Sequence, residues 1–225
     1  MAVSDLGPSR VDPRDTSGPV PSAGPVRHRA APRLHADDGS TVPLHVERWH
    51  GDVDDVESVL LATLGDPVLD IGCGPGRIGA ALNAAGRTVL GIDPAPTAVA
   101  WAQGRGAPAL CRSVFDHLPD EGRWASALLL DGNIGIGGDP AALLTRVCEL
   151  LAPGGEVVAE VTAPGNKTGA MRVQLRSDGP EAPRPWFPWA RVSADAFPAL
   201  ARGVGMVVGS TCSHGDRWFA RASRP

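Results

Sequence analysis

An α/β fold with a doubly wound, mostly parallel sheet and an antiparallel C-terminal strand is predicted by three features of the sequence. Short apolar segments alternate with helical ones from residue 66 onward, and glycines or prolines punctuate nearly every junction. The last two apolar segments, Met206–Thr211 and Arg217–Ala222, are joined by the tight His214-Gly215-Asp216 turn, so they run antiparallel.

The elements follow in order. Residues 1–30 are dense in Pro, Gly, Ser and Arg without apolar periodicity, and read as a flexible N-terminal tail. Residues 31–65 read as a hairpin and a helix that cap the site. Leu34 to Trp49 makes the hairpin around an Asp38-Gly39 turn, with Val42, Leu44 and Val46 alternating after it. The helix starts at Asp52, where Asp52, Asp54 and Asp55 suit the positive end of its dipole, and runs to about Thr63 with Val53, Val56, Val59 and Leu60 at helical spacing.

Residues 66–225 form the main domain. Strands are predicted at Val68–Ile71, Thr88–Ile92, Ala109–Val114, Ala127–Leu130 and Glu156–Val161, with helices at Arg77–Ala85, Thr97–Gln103 and Pro140–Leu151. Beyond them come an added strand, Met171–Arg176, a Pro-rich loop over residues 179–188, and a helix capped by Ser193 and running to Arg202.

Composition bounds the function. The chain of 225 residues is 43% hydrophobic and 20% charged, which is ordinary globular usage. A net charge of −4 leaves no general basic surface, so there is no strong nucleic-acid signal. Cys73, Cys111, Cys148 and Cys212 form no CxxC pair, which supports neither zinc nor a disulfide framework. No apolar run approaches the roughly 20 residues needed to span a bilayer, and no secretory h-region is visible. A cytoplasmic protein without a membrane partner is expected; the oligomeric state is not legible.

Residues 68–79 carry the clearest chemistry. Gly74, Gly76 and Gly79 spell GxGxxG after a predicted strand, a pattern compatible with a dinucleotide. The strand, however, ends in Asp70. A pyrophosphate at this loop would be repelled by a carboxylate, whereas the ammonium and sulfonium of S-adenosylmethionine would be attracted. Asp93, about twenty residues beyond the loop, suits the ribose hydroxyls of either ligand.

The stretch Val68-Leu69-Asp70-Ile71-Gly72-Cys73-Gly74-Pro75-Gly76 resembles the first motif of the class I S-adenosylmethionine-dependent methyltransferase family. Val89-Leu90-Gly91-Ile92-Asp93 resembles its second motif, and Leu151-Ala152-Pro153-Gly154-Gly155 the loop before its fifth strand. The resemblance covers roughly residues 66–162. It implies a Rossmann-like sheet with S-adenosyl-L-methionine as cofactor, Asp70 at its amino-acid end, Gly72, Cys73, Gly74 and Gly76 along its backbone, and Asp93 and Pro94 at its ribose. Where the family places a polar group near the adenine, this chain has Ser113, Val114 and Phe115; a shifted loop using Asp116 is the alternative.

The acceptor side is read from position. Loops after the strands face the ligand in doubly wound sheets, which points to Asp131 and Asn133 as groups near the reacting methyl, with Asp131 also touching the cofactor. His117 is a candidate base, as is His214, while His35, His45 and His50 could line a lid; none supports a metal. Trp186, Phe187 and Trp189 could wall a pocket for a small-molecule acceptor. The expected activity is methyl transfer to oxygen or nitrogen of such a molecule by in-line displacement. The alternatives are a dinucleotide-dependent oxidoreductase and a non-catalytic cofactor-binding protein of the same fold.

Overall fold

The computed structural model describes residues 33–43, 46–176 and 185–225. The expected tail, Leu44 and His45 of the hairpin, and residues 177–184 of the Pro-rich stretch lie outside the described residues.

The central layer is a seven-stranded sheet. It uses β3 (Val68–Ile71), β4 (Val89–Asp93), β5 (Ala109–Cys111), β6 (Trp124–Leu129), β7 (Leu151–Val161), β10 (Val207–His214) and β11 (Arg217–Ser223) in the order β10-β11-β7-β6-β3-β4-β5. Strands β5, β4, β3, β6 and β7 are mutually parallel, and β11 runs antiparallel to β7 and to β10. The predicted Rossmann-like architecture with its antiparallel C-terminal strand is what the chain adopts.

Side chains alternate between the two faces of each strand, and both faces are covered. Leu69, Ile71, Ala127 and Leu129 pack with α5 (Pro140–Leu150) and α6 (Phe197–Gly203). Val68, Leu128 and Leu130 turn the other way, onto α2 (Asp55–Ala62) and α3 (Arg77–Ala84). The short helix α4 (Pro96–Gly104) covers the β4–β5 end through Val99 and Ala102.

A second, four-stranded antiparallel sheet lies over the carboxyl ends. It joins β1 (Arg33–Ala36) and β2 (Thr41–Pro43) to β8 (Gly169–Arg176) and β9 (Phe187–Arg191), in the order β2-β1-β8-β9. The hairpin is therefore one half of this cover, with Leu34, Ala36 and Val173 as its small core.

Several boundaries differ from expectation for physical reasons. The hairpin strand stops at Pro43, and the residues predicted to continue it form a helix, α1 (Val46–His50). Helix α2 begins three residues later than expected, because Asp54 is its N-cap: Asp54 accepts from the Glu57 N–H at 2.8 Å, and the Glu57 carboxylate accepts from the Asp54 N–H at 3.1 Å. Strand β7 extends back through Pro153-Gly154-Gly155, the segment expected to stop a helix, beside an irregularity in its pairing with β6. The Pro-rich loop ends in a strand: β9 contains Pro188 and lies at an outer edge, where a missing N–H is tolerated.

Candidate active site

Strand order reverses between β3 and β6, the place where an open α/β sheet leaves a crevice outside its carboxyl ends. Register pairs Asp70 of β3 with Leu128 of β6, so the chain leaves these strands side by side at Ile71-Gly72 and at Leu130-Asp131. A cavity of about 470 Å³ opens there, walled by Asp70, Gly72, Cys73, Gly74, Asp93, Pro94, Ser113, Val114, Asp131, Asn133 and Trp189 among others. The sequence reading thus gathered a set of residues that the fold brings to one wall.

The glycine loop is shaped by its neighbours. Gly72 has a φ of 72°, and a Cβ on it would fall 2.6 Å from Asn133 Nδ2. Asn133 starts a 3-10 segment (Asn133–Gly138) and donates through Nδ2 to the carbonyls of Ile71 (2.9 Å) and Gly72 (3.0 Å). Gly76, with a φ of 81°, lets the loop rest on α4, where a Cβ would meet Ala102 at 2.5 Å. Gly76 is therefore behind the cavity wall, and supports the loop rather than lining the site. Asp93 latches the loop: its Oδ2 accepts from the Gly74 N–H at 3.1 Å and its Oδ1 from the Ala95 N–H at 2.8 Å.

Asp70 is the electrostatic singularity. It is 3% exposed, and its Oδ2 has no hydrogen-bond partner among the described residues. Burial pushes its pKa up to about 7; Arg77 works against that rise, and Asp131, Asp93 and Glu57 add to it. A buried carboxylate oxygen left unpaired beside a cavity is costly unless a ligand supplies the missing donor. Burial, with Asp70 and Asp93 beside it, also drives the Cys73 thiol upward, so Cys73 is a neutral filler of the wall and no nucleophile.

Asp131 occupies a strained left-handed position, with a φ of 53°. Its Oδ2 binds Arg77 Nη2 at 2.8 Å, its Oδ1 lies 3.5 Å from Arg48 Nη1, and its N–H donates to Glu160 Oε2 at 2.8 Å. Burial raises its pKa, opposed chiefly by Arg77. Arg77 also pairs with fully buried Glu57, which in turn accepts from Arg217 Nη1 at 3.1 Å. Arg217 then forks onto Glu160, with Nε and Nη2 each at 2.9 Å, and reaches Asp54 at 3.1 Å. This ionic floor was not read from the sequence beyond Asp131. One signal was present: Arg77 sits at the first position of a helix, where a cation opposes the dipole and needs another partner.

Besides Gly76, several other predicted residues lie off the cavity. His117 has a 92% exposed side chain and bonds Glu121, itself held by Arg146, so it faces solvent and cannot act as a base here. Phe115 is 48% exposed and rests against Gly137, because the turn at Ser113–Asp116 sends Val114 inward and Phe115 outward. Asp116 accepts from the Ser113 N–H at 2.9 Å and lines neither this cavity nor its neighbour. Trp186 precedes β9 and misses the wall, whereas Phe187 and Trp189, two apart on one strand, both reach it. His35, His50 and His214 line neither this cavity nor its neighbour; His50 stacks edge-on against Trp101 with centroids 4.8 Å apart.

That neighbour, about 620 Å³, lies under the cover sheet, with Leu34, Glu160, Leu175, Arg191 and Arg217 on its walls. Trp49, Asp131, Asn133, Phe187 and Trp189 are common to both cavities.

Residues 68–155 match the methyltransferase domain family. The matched segment runs from β3 to the start of β7, the part of the sheet that carries the glycine loop and Asp93. Solved structures agree on the methyltransferase fold. A methyltransferase of Bacteroides fragilis, solved with S-adenosyl-L-homocysteine, superposes with a TM-score of 0.69 at 19% identity, covering 86% of each chain. The 1,6-didemethyltoxoflavin-N1-methyltransferase of Burkholderia thailandensis gives 0.57 at 21% identity, over 80% of this chain and 83% of that one. An amino pentose methyltransferase of Micromonospora echinaspora gives 0.57 at 17% identity, over 80% and 95%. A search of curated proteins finds no match to this chain. Among the described residues no helix is long and apolar enough to cross a membrane.

The residues present fit the cofactor this domain uses. Asp70 offers an unpaired buried oxygen to an ammonium, Gly72 and Gly74 leave backbone accessible, and Asp93 keeps lone pairs free toward the cavity beyond its two backbone contacts.

Proposed function

We propose that this protein is a cytoplasmic enzyme that transfers a methyl group from S-adenosylmethionine to an oxygen or nitrogen atom of a small-molecule acceptor. The observation that carries the reading is the unpaired carboxylate oxygen of Asp70 at the lip of the glycine loop, on the wall of a cavity that Asp93 also lines. When bound, the cofactor supplies an electrophilic methyl carbon on a sulfonium.

The residues of this chain do the rest. Asp70 holds the ammonium, Asp93 the ribose hydroxyls, and Ser113 and Val114 flank the base. Asp131 and Asn133 stand where the donor cavity meets the acceptor cavity and orient the incoming nucleophile. The Trp49, Phe187 and Trp189 side chains exclude water there. Holding the reactants in near-attack geometry supplies up to ~7–11 kcal/mol of such a barrier without any covalent enzyme intermediate. Two structural neighbours act on small molecules, a didemethyltoxoflavin and an amino pentose, which supports an acceptor of this size.

The test is incubation of the full chain with methyl-tritiated S-adenosylmethionine and a small-metabolite extract. Transfer of label to a low-molecular-weight product is expected. Absence of transfer, with cofactor binding intact, contradicts the enzymatic reading and favours a cofactor-binding protein.

A further inference from the structure

Methyl transfer, as proposed above, leaves the acceptor atom open; from the junction of the two cavities we infer that it is the nitrogen of a primary or secondary amine on an apolar body. The inference rests on the methyltransferase reading and narrows it. The donor cavity holds Asp70 and the glycine loop, the acceptor cavity lies beneath the cover sheet, and five residues belong to both walls. Whatever is methylated must present its nucleophile at that junction.

Two of the five shared residues fix what the junction can bind. Asn133 has its orientation decided by its surroundings: both of its contacts are carbonyl oxygens, so Nδ2 must face them. Its Oδ1 has no partner among the described residues and is left as a hydrogen-bond acceptor. Asp131 adds a carboxylate, held in place by a strained backbone and by Arg77, with Oδ1 only loosely engaged by Arg48 at 3.5 Å. Both residues line both cavities, so a nucleophile entering the junction meets two side-chain acceptors. A hydroxyl has one hydrogen and satisfies only one of them, while an amine or ammonium nitrogen has two or three. An acceptor that the bound molecule covers and leaves unmatched disfavours the hydroxyl.

Charge along the acceptor cavity is even, with Asp131, Glu160 and Asp216 set against Arg48, Arg191 and Arg217, so its wall opposes an ammonium no more than a neutral group. Trp49, Phe187 and Trp189 give the rest of the molecule apolar area and π-faces, which also favour a nearby cation.

In the reaction so assigned, the bound ammonium first gives one proton to the Asp131 carboxylate, which frees the nitrogen lone pair. That pair forms the new C–N bond as the C–S bond breaks and its electron pair returns to sulfur; the methylated product leaves as an ammonium, and Asp131 passes its proton to water.

The experiment compares one metabolite extract before and after amine capping with sulfosuccinimidyl acetate, followed by hydroxylamine to free any phenol esters. Each is incubated with the full chain and methyl-tritiated S-adenosylmethionine. Labelling in the untreated extract and its loss after capping support the inference. Labelling that survives capping overturns it while leaving methyl transfer intact, and no labelling in the untreated extract contradicts the methyltransferase reading itself. A second measurement needs no turnover. With the protein saturated in S-adenosylhomocysteine, benzylamine is expected to raise the melting temperature more than its oxygen counterpart, benzyl alcohol. An equal or smaller shift with benzylamine overturns the inference.

Discussion

Asp70 makes cofactor affinity depend on pH in a way that can be worked out from the structure. Burial raises its pKa from 3.8 to about 7 in the ligand-free protein. An acid raised in the folded state contributes stability that is fully present below its unfolded value and lost as pH rises through the folded one. Between these limits, at about 1.4 kcal/mol per pH unit, the ionised carboxylate costs the free protein up to about 4 kcal/mol near pH 8. A cationic ligand reverses the balance, because it needs Asp70 ionised. Its affinity therefore falls by a factor of about 2 at pH 7, about 10 at pH 6 and about 100 at pH 5, relative to alkaline pH. S-adenosylhomocysteine is the probe of choice, since without the sulfonium its ammonium stays charged across this window. Isothermal titration from pH 5 to 7.5 should show this loss, with proton release on binding near pH 6 visible as a buffer-dependent enthalpy. The substitution Asp70→Asn should flatten the profile and weaken binding at pH 7.5 by about 1.5–3 kcal/mol, the worth of a charge-assisted hydrogen bond. The same variant should stabilise the free protein at pH 8. An affinity independent of pH, or an Asp70→Asn protein that binds as tightly as the parent, refutes the reasoning.

Other expectations follow from particular contacts. Gly72→Ala places a methyl group 2.6 Å from Asn133 Nδ2 at a φ of 72°, and should cost about 1–3 kcal/mol in urea denaturation; an unchanged midpoint contradicts the packing described. Arg217→Leu strands Glu57 and Glu160 without their shared cation, and is expected to destabilise by about 3–5 kcal/mol in calorimetry. Asp139→Ala removes the cap that accepts from the Ala141 and Ala142 N–H groups, both at 3.0 Å, and should lower stability by about 1 kcal/mol without altering cofactor affinity.

What the sequence revealed was local, and what it concealed was not. Val68–Ile71, the glycine loop and Asp93 lie within twenty-six residues of one another, and their spacing encodes strand, turn and helix directly. Asp131 and Asn133 could be singled out because they follow the end of a central strand, where an open α/β sheet leaves its crevice, and both do line the cavity. Strand β9 was concealed by Pro188, whose penalty disappears on an outer edge that only the tertiary fold creates. Helix α1 was hidden by an apolar alternation too short to distinguish strand from helix. The ionic floor was least legible: Arg217 meets Glu57 across 160 positions and Glu160 across 57, and no one-dimensional pattern records such a pairing. His117 fails for the opposite reason, since its place after a strand was right in outline while its side chain turns to Glu121 and solvent.

A crevice between β3 and β6 built for a cationic, phosphate-free nucleoside ligand should discriminate sharply against a dinucleotide. Competitive equilibrium titration of the full chain with S-adenosylhomocysteine and with NADH at pH 7.5 tests it most directly. Saturable binding of S-adenosylhomocysteine that NADH does not displace is the predicted result, and tighter binding of NADH contradicts the account.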